Sequence, residues 1–283
     1  MKKIIALAVA GAFAVPVMAA DVSLSGDLEY TFTKYEDDGT AATTGDTDIA
    51  VSASEEANGM TISAVVHIKQ GTSEGEIAIA GDFGSLAIGD TTDNAATAID
   101  EVAGVAEFEL GDSATGAATA VDTTALYTLP TIVDGLALRV SYGAVGANDG
   151  VDTNENNVSA FSATYTMGNV TVGYGSIDDS ARTFDMNVMN AKFTTGPITV
   201  AYELSENDGG VANTDVSAVG LVYNYGQGNI FVESQTTDTN GVETNDSGVG
   251  VSYKIGAVNM YIQSNSGDTA ADNGKFVGVE YAF

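Results

Sequence analysis

Apolar and polar residues alternate along most of the chain with a period of two. In residues 22–34 the apolar side chains occupy the even positions, and Ser, Asp, Glu and Thr occupy the odd ones. In residues 60–69 the even positions are again apolar. An amphipathic helix would repeat every 3.6 residues instead. The pattern therefore predicts β-strands that have one apolar and one polar face.

The same alternation predicts sixteen strands. They cover residues 21–35, 46–55, 60–69, 76–81, 85–90, 122–129, 136–143, 157–167, 169–177, 182–194, 197–205, 215–225, 229–236, 247–255, 257–264 and 275–283. Long and short connections alternate between these strands, and the longest covers residues 91–121. A soluble sandwich gives no reason for that alternation. Transmembrane barrels do, because their periplasmic turns are short and their external loops are long.

The chain length agrees with an all-β, antiparallel transmembrane barrel of sixteen strands. A tilted membrane strand needs about 9–11 residues, and the sheet must close because lipid cannot pair free backbone groups. A barrel of about 16–18 strands encloses an aqueous channel. The sequence therefore predicts one barrel domain over residues 21–283. A secreted β-solenoid or sandwich adhesin is the alternative reading.

Residues 1–20 resemble a secretory signal peptide. Lys2 and Lys3 precede a short apolar segment, Pro16 interrupts it, and small residues follow. This order of charged, apolar and small residues is typical of a removable leader. We expect cleavage after Ala19 or Ala20, which would change the formal charge from −30 to −32.

Composition excludes several classes of protein. The chain has 39 acidic residues against 9 Lys and Arg, one His and no Cys. No basic face for nucleic acid can be built from so few cations, and disulfide or thiolate metal sites need cysteine. A triad enzyme would depend on His67 alone, and no nucleophile–base pair is visible. We therefore expect no enzyme activity, no cofactor, no metal site and no nucleic-acid partner.

Four segments resemble the Gram-negative general porins. They are the start of the mature chain (21–26), a glycine-rich turn with the following strand (81–90), the pair 125–130 and 135–142, and the C-terminal strand 276–283. The family usually has a basic residue at position 90, where this chain has Asp90. The resemblance implies a homotrimeric channel of sixteen strands in the outer membrane of a Gram-negative bacterium. It also implies an outer-membrane assembly signal at the C-terminus, which would consist of Val279, Tyr281 and Phe283.

The resemblance further implies that the third external loop, 91–121, folds into the barrel and narrows it. The acidic candidates in this loop are Asp93, Asp100, Glu101, Glu107, Glu109 and Asp112. An acidic loop that stays outside the barrel is the alternative. The alternation itself places several charged side chains on the inner wall of the barrel. These are Asp27, Glu29, His67, Lys69, Arg139, Glu203, Lys254 and Glu280. Arg139 is the best candidate for a basic side of the narrowing, and its alternative role is to pair with a neighbouring carboxylate.

Most of the acidic residues fall in the predicted external connections, where basic residues are nearly absent. A mouth of this charge concentrates cations and repels anions. We therefore expect a cation-preferring channel for passive diffusion of small hydrophilic solutes. Lipopolysaccharide and the outer-membrane assembly machinery are the expected partners in the membrane. A substrate-specific channel and a non-conducting surface adhesin are the rival functions.

Overall fold

The structure, a computed structural model, describes residues 21–35, 41–69, 72–90, 92, 94–100, 123–144, 157–179, 184–209, 213–268 and 273–283. The predicted signal peptide lies outside the described residues. No helix in the described ranges has the length and apolar character needed to cross a membrane.

Sixteen antiparallel strands form one closed barrel, as the sequence predicts. Each strand pairs with its neighbours in chain order, and β1 pairs with β16 to complete the ring. One short helix, α1 (Thr97–Asp100), follows β5. The strands are β1 Asp21–Tyr35, β2 Ala41–Ala57, β3 Met60–Lys69, β4 Thr72–Gly81, β5 Gly84–Gly89, β6 Thr123–Thr128, β7 Leu136–Ala144, β8 Asn157–Met167, β9 Val170–Asp179, β10 Phe184–Thr195, β11 Ile198–Gly209, β12 Thr214–Asn224, β13 Asn229–Thr239, β14 Val242–Ile255, β15 Val258–Gly267 and β16 Gly274–Ala282.

The outside of the barrel is apolar and the inside is polar. In β1, Leu24 and Phe32 point outward and are 64% and 55% exposed, whereas Thr31 and Thr33 point inward and are buried. The same alternation continues around the ring through outward Val, Ile, Leu, Phe and Tyr side chains. A soluble protein would bury these side chains. An apolar outer surface over a polar interior is the arrangement of a membrane barrel.

The two ends of the barrel differ in their connections. Both ends of the described chain lie at the end that carries the short turns, such as Asn58-Gly59 and Gly168-Asn169. Asn58 and Gly59 both have positive φ, at 54° and 76°. Two such residues in sequence form the tight hairpin turn that suits the twist of adjacent strands. We call this end the short-turn end and the opposite one the loop end.

Several strands run further toward the loop end than the alternation predicts. The sequence predicts a long connection over residues 237–246, but β13 and β14 stay paired up to the two-residue turn Asn240-Gly241. In the same way β2 begins at Ala41 and β11 continues to Gly209. Most side chains of these extensions are polar or small on both faces, so the apolar–polar alternation ends before the hydrogen-bonded strand does.

Phe283 extends the pairing of β1 with β16 that closes the ring. The Phe283 N–H donates to the Gly26 carbonyl over 2.9 Å, and the Gly26 N–H donates to the Phe283 carbonyl over 3.1 Å. The Phe283 ring lies over Gly26, where a Cβ would collide with both the ring and the Asp48 carbonyl oxygen. Glycine is therefore required at position 26 for β1 and β16 to meet at the short-turn end.

Candidate functional site: the barrel lumen

The segment after β5 turns into the barrel. The strands that flank this connection, β5 and β6, have only six residues each. Ala95, Ala96 and Ile99 have no exposed surface. They pack against an apolar patch on the inner wall of β8, β9 and β10. The patch consists of Val158, Ala160, Ile177, Met186 and Val188. The described part of the third loop therefore lies inside the lumen.

Two glycines make room for α1 on this wall. A Cβ on Gly175 would lie 3.0 Å from the Ala96 Cβ, and one on Gly173 would lie 2.8 Å from Ile99 Cδ1. Larger side chains at these positions would push the helix toward the centre of the lumen. We call Gly173, Gly175 and the apolar patch the α1 seat.

Hydrogen bonds fix the same segment. The Ala95 N–H donates to Ser141 Oγ over 2.8 Å, and Asn190 Nδ2 donates to the Ile99 carbonyl. Asn94 Oδ1 accepts from the Ala96 N–H over 2.8 Å at the start of α1. Apolar burial and specific hydrogen bonds together give the segment one position on the wall.

The acidic candidates of the third loop are mostly beyond what the structure describes. Asp93, Glu101, Glu107, Glu109 and Asp112 lie outside the described residues, and Asp100 is described only as the last residue of α1. Their role in narrowing the channel stays a prediction.

The wall opposite the α1 seat is acidic. In a ring of sixteen strands β1 is eight strands away from β9, so β1 and its neighbours face the seat across the lumen. Inward-pointing Asp27 on β1 is the register partner of Asp48 on β2. Glu29 is the register partner of Asp46 on one side and of Glu280 on β16 on the other. We call these five carboxylates the acidic wall.

Neutral donors hold two carboxylates of the acidic wall. Tyr261 and Thr31 donate hydroxyl hydrogen bonds to Glu29 Oε1 over 2.7 and 2.9 Å. Asn259 Nδ2 donates to Glu280 Oε2 over 3.4 Å. These partners orient the carboxylates without supplying a positive charge.

Two of the predicted basic wall residues contact acids on this side. His67 Nδ1 lies 3.0 and 2.9 Å from the two carboxylate oxygens of Asp48. Lys69 donates to Glu74 Oε2 over 2.9 Å. Each contact joins one cation or potential cation to one carboxylate, so the acidic wall keeps an excess of negative charge.

The remaining predicted wall residues also point inward, but they do not lie beside the acidic wall. Arg139 on β7 pairs in register with Thr128 and Ser162, on the same side of the lumen as the α1 seat. Lys254 lies at the short-turn end of β14. Glu203 is only 1% exposed, so its carboxylate does not border the open passage.

Inward carboxylates that are absent from the predicted set include Asp46, Asp48, Glu74 and Glu76. The signal for the first two is present in the sequence. Residues 46–55 alternate, with Ile49, Val51 and Ala53 at the odd positions, so the even positions must face the lumen. Glu74 precedes the predicted start of β4, and the alternation around it is too weak to assign a face.

Large aromatic side chains inside the barrel lie flat against its wall. Phe231 and Tyr261 point inward and are 2% and 1% exposed. Their register partners on the next strands are Gly250 and Gly278. A Cβ on either glycine would overlap the ring of its partner. The glycines therefore let these rings lie on the wall instead of projecting into the passage.

No group of three His, Cys, Asp or Glu side chains in the described part of the chain is arranged to hold a metal ion. The aromatic rings of Phe231 and Tyr261 lie against the wall, and the carboxylates of the acidic wall point into the lumen.

A closed sixteen-stranded barrel with an apolar outside, a charged lumen and an inserted segment defines a channel-forming barrel of the outer-membrane type. The chain belongs to the Gram-negative porin family, whose model matches residues 6–272. The family and the fold are those of an outer-membrane channel rather than of an enzyme.

Solved porin structures have the same fold at low sequence identity. A porin structure refined at 1.8 Å aligns with a TM-score of 0.72 and 17% identity, covering 93% of this chain and 100% of that one. A triple mutant of Rhodopseudomonas blastica porin aligns with a TM-score of 0.70, 17% identity and the same coverage. An OmpT variant of Vibrio cholerae that lacks loop L8 gives 0.71 and 15%, covering 94% and 100%. No protein of curated function matches the chain.

Proposed function

We propose that the chain forms a cation-preferring channel for passive diffusion of small hydrophilic solutes and ions across the outer membrane. The acidic wall is the observation that supports this proposal. Its five carboxylates, Asp27, Glu29, Asp46, Asp48 and Glu280, occupy neighbouring register positions on three adjacent strands and face the α1 seat. A charged wall beside a narrowed passage enriches the counterion and repels the co-ion.

The loop acids extend this proposal. If Asp100, Glu101, Glu107 and Glu109 border the passage, carboxylates stand on both sides of it. If the passage is about as wide as the Debye length, about 8 Å at physiological salt, every permeating ion would lie within the electric field of the carboxylates on both sides. The preference for cations would increase as ionic strength falls.

The reversal potential in a planar bilayer under a salt gradient tests the proposal. We expect the sign of a cation-selective channel for the unmodified protein. In the triple variant Asp27→Asn, Asp48→Asn, Glu280→Gln the potential should move toward zero, because three carboxylates leave the acidic wall.

The matched control is the triple variant Asp215→Asn, Asp238→Asn, Glu243→Gln, which makes the same change in net charge. These three residues are register partners on the outer face of β12, β13 and β14. The control should keep the original reversal potential. An anion-selective sign, or equal shifts in both variants, would contradict the proposal. A strong block by one solute would indicate a substrate-specific channel, and no conductance at all would indicate a surface adhesin.

We further propose that the chain is a homotrimer, as its family resemblance implies. The short strands support an oligomer: β5 and β6 have six residues each, against the 9–11 or so that a membrane strand needs. Ile88 on β5 points outward, and Asp90 lies two residues further along the chain, just after the end of this strand. Asp90 accepts a hydrogen bond from the Gly75 N–H. A neighbouring protomer would cover this part of the wall, where the strands are short and the surface is polar. The mass of the protein in mild detergent tests the stoichiometry, and a monomer would contradict it.

Removal of residues 1–20 and recognition of the C-terminal strand by the assembly machinery complete the proposal. Val279, Tyr281 and Phe283 all point outward and are 41%, 46% and 49% exposed. The Tyr281 and Phe283 rings stack, with centroids 6.2 Å apart. An exposed apolar row on the last strand is a surface that a membrane-embedded partner can bind before the barrel closes.

A further inference from the structure

His67 is the one histidine of the chain, and it lies at the edge of the acidic wall. It belongs to β3, where its register partners are Ala50 on β2 and Glu74 on β4. The side chains of His67 and Asp48 are 27% and 24% exposed, so water in the lumen reaches both. Of the ordinary side chains, only histidine gains or loses a charge between about pH 5 and pH 8. The lumen therefore holds a group that responds to pH in this range.

The contact with Asp48 determines which ring atom of His67 takes up the proton. Nδ1 lies 3.0 and 2.9 Å from the two carboxylate oxygens of Asp48. An ionised carboxylate only accepts hydrogen bonds, so Nδ1 carries a hydrogen in both charge states of the ring. The added proton therefore comes from water to Nε2, and the hydrogen bond to Asp48 is kept. Protonation changes the pair from one negative charge to none and needs no rearrangement of the wall.

The other charges that face His67 leave this change uncompensated. On β3 and β4, Lys69 donates to Glu74 Oε2 over 2.9 Å, so these two charges offset each other. Further along β4, Glu76 accepts a hydrogen bond from the neutral Thr92 hydroxyl over 2.6 Å. On β2 and β1 the facing groups are the acidic-wall carboxylates Asp46, Asp48 and Asp27. Protonated His67 thus offsets one of the five carboxylates of the acidic wall, and four remain.

Carboxylates on the outside of the barrel form a separate group. Outward-pointing carboxylates follow one another in register along the loop end of β9 to β14. They are Asp178, Asp185, Glu206, Asp208, Asp215, Asp238 and Glu243. We call this row the acidic rim. The barrel wall separates the acidic rim from His67. Exposed Ser247 also points outward, on the same strand as Glu243, and offers a position outside the lumen for a control histidine.

We propose that His67 is a specificity-determining residue that weakens the channel's preference for cations as the medium becomes acidic. The acidic wall borders the passage opposite the α1 seat, so a charge gained at this wall acts on the permeating ions. A less negative potential lowers the local concentration of cations and raises that of anions. The inference rests on the cation preference in the proposed function, and it assigns a pH dependence of that preference to one residue.

The test measures the reversal potential in a planar bilayer under one salt gradient at about pH 8 and at about pH 5.5, on either side of the usual histidine range. We expect the cation-to-anion permeability ratio of the unmodified channel to be roughly 2-fold lower at the acidic pH, because one screened charge at about 8 Å acts on both ions. His67→Gln should lose this dependence, because its amide stays neutral. His67→Lys should lose it too, but at a ratio roughly 2-fold below that of His67→Gln, because its ammonium group stays charged.

The double variant His67→Gln, Ser247→His is the matched control. It keeps one histidine in the chain but places it outside the lumen, and it should behave as His67→Gln does. Any carboxylate that titrates over this pH range does so in every variant, so the difference from His67→Gln isolates the histidine. Equal pH dependence in the unmodified channel and in His67→Gln would overturn the inference, and so would its return in the double variant. An anion preference of the unmodified channel at both pH values would contradict the proposed function instead, whereas a pH shift confined to channels with His67 would still support the role of this residue.

Discussion

At the scale of the residue, glycines decide which way the inner aromatic rings point. Tyr261 on β15 lies over Gly278 on the neighbouring strand β16, and this position also brings its hydroxyl to Glu29 on β1. Aromatic side chains over a glycine on the neighbouring strand are a known way to stabilise such positions. The ring thus serves both the packing of the wall and the orientation of one acidic-wall carboxylate.

Substitution of Gly278 should change both the packing of the wall and the orientation of Glu29. In Gly278→Ala, the new Cβ would overlap the Tyr261 ring, so the ring must swing into the lumen and leave Glu29. We expect a lower single-channel conductance and a loss of stability of about 1–3 kcal/mol, the usual range for overpacking. Single-channel recording and denaturant unfolding measure the two effects.

The double variant Gly278→Ala, Tyr261→Ala separates the ring from the backbone. It should recover conductance, because no ring remains to be displaced. If conductance stays low in the double variant, the glycine acts through the strand itself and the explanation is wrong.

At the scale of the element, a single turn of helix determines how the third loop enters the lumen. Four-residue α1 has too few hydrogen bonds to be stable alone. Its position depends on the α1 seat, on the Asn190 hydrogen bond to the Ile99 carbonyl and on the Ser141 contact. The described segment is therefore fixed by the barrel wall and not by its own helix propensity.

Weakening this contact should widen the channel. In Asn190→Ala the Ile99 carbonyl loses its side-chain donor, at a cost of about 1 kcal/mol for a hydrogen bond of ordinary strength. The loop should sample positions off the wall, so we expect noisier current with more conductance levels than in the unmodified protein. Single-channel recordings at constant voltage report this directly.

The outward neighbour on β9 offers the matched comparison. Gly175→Val should disturb the current because its side chain would press on Ala96, whereas Ser176→Val points to the outside of the barrel and should leave the current unchanged. Equal behaviour of these two valine variants would show that α1 does not depend on the seat.

Alternation along the sequence predicts the strands and their faces well because the period of two is enforced by lipid on one side and water on the other. The prediction fails where that contrast ends, as at residues 237–246, where the paired backbone continues with mostly polar side chains on both faces. It also cannot predict which charges become neighbours. The pairing of Asp27 with Asp48 depends on strand register, and one residue of shift would move every partner.

The third loop shows another limit of the sequence. Ala95, Ala96 and Ile99 form no alternating pattern, so the sequence alone leaves open whether they lie inside or outside the barrel. Their position depends on a complementary patch on three strands more than 50 residues away along the chain. Such long-range complementarity has no local signal in the sequence.

At the scale of the whole molecule, charge is distributed unevenly around the barrel. The acidic rim follows β9 to β14 on the outside, while the acidic wall lies on the inside at β16, β1 and β2. Asp185 is in the densest part of the rim, with Asp178 and Asp208 as its two register partners. Repulsion between these carboxylates should lower the free energy of unfolding of the barrel at low ionic strength.

Relief of this repulsion is measurable. Asp185→Asn removes two like-charge pairs, each worth roughly 0.2–1 kcal/mol, so it should stabilise the barrel at low ionic strength. The gain should shrink as salt rises, because these exposed charges become screened. Denaturant titrations at low and high salt measure the difference. Asp134→Asn, in the exposed turn between β6 and β7, is the control and should give no gain; a gain of equal size there would mean that net charge alone matters.

The joint between β1 and β16 has a consequence for assembly. It consists of nine register pairs, and the two hydrogen bonds between Gly26 and Phe283 extend it by one residue. Until these two strands meet, each presents a backbone edge without hydrogen-bond partners, which invites aggregation with other chains. Because β1 and β16 are the first and last strands in chain order, this exposure ends only when the other fourteen strands have brought them together.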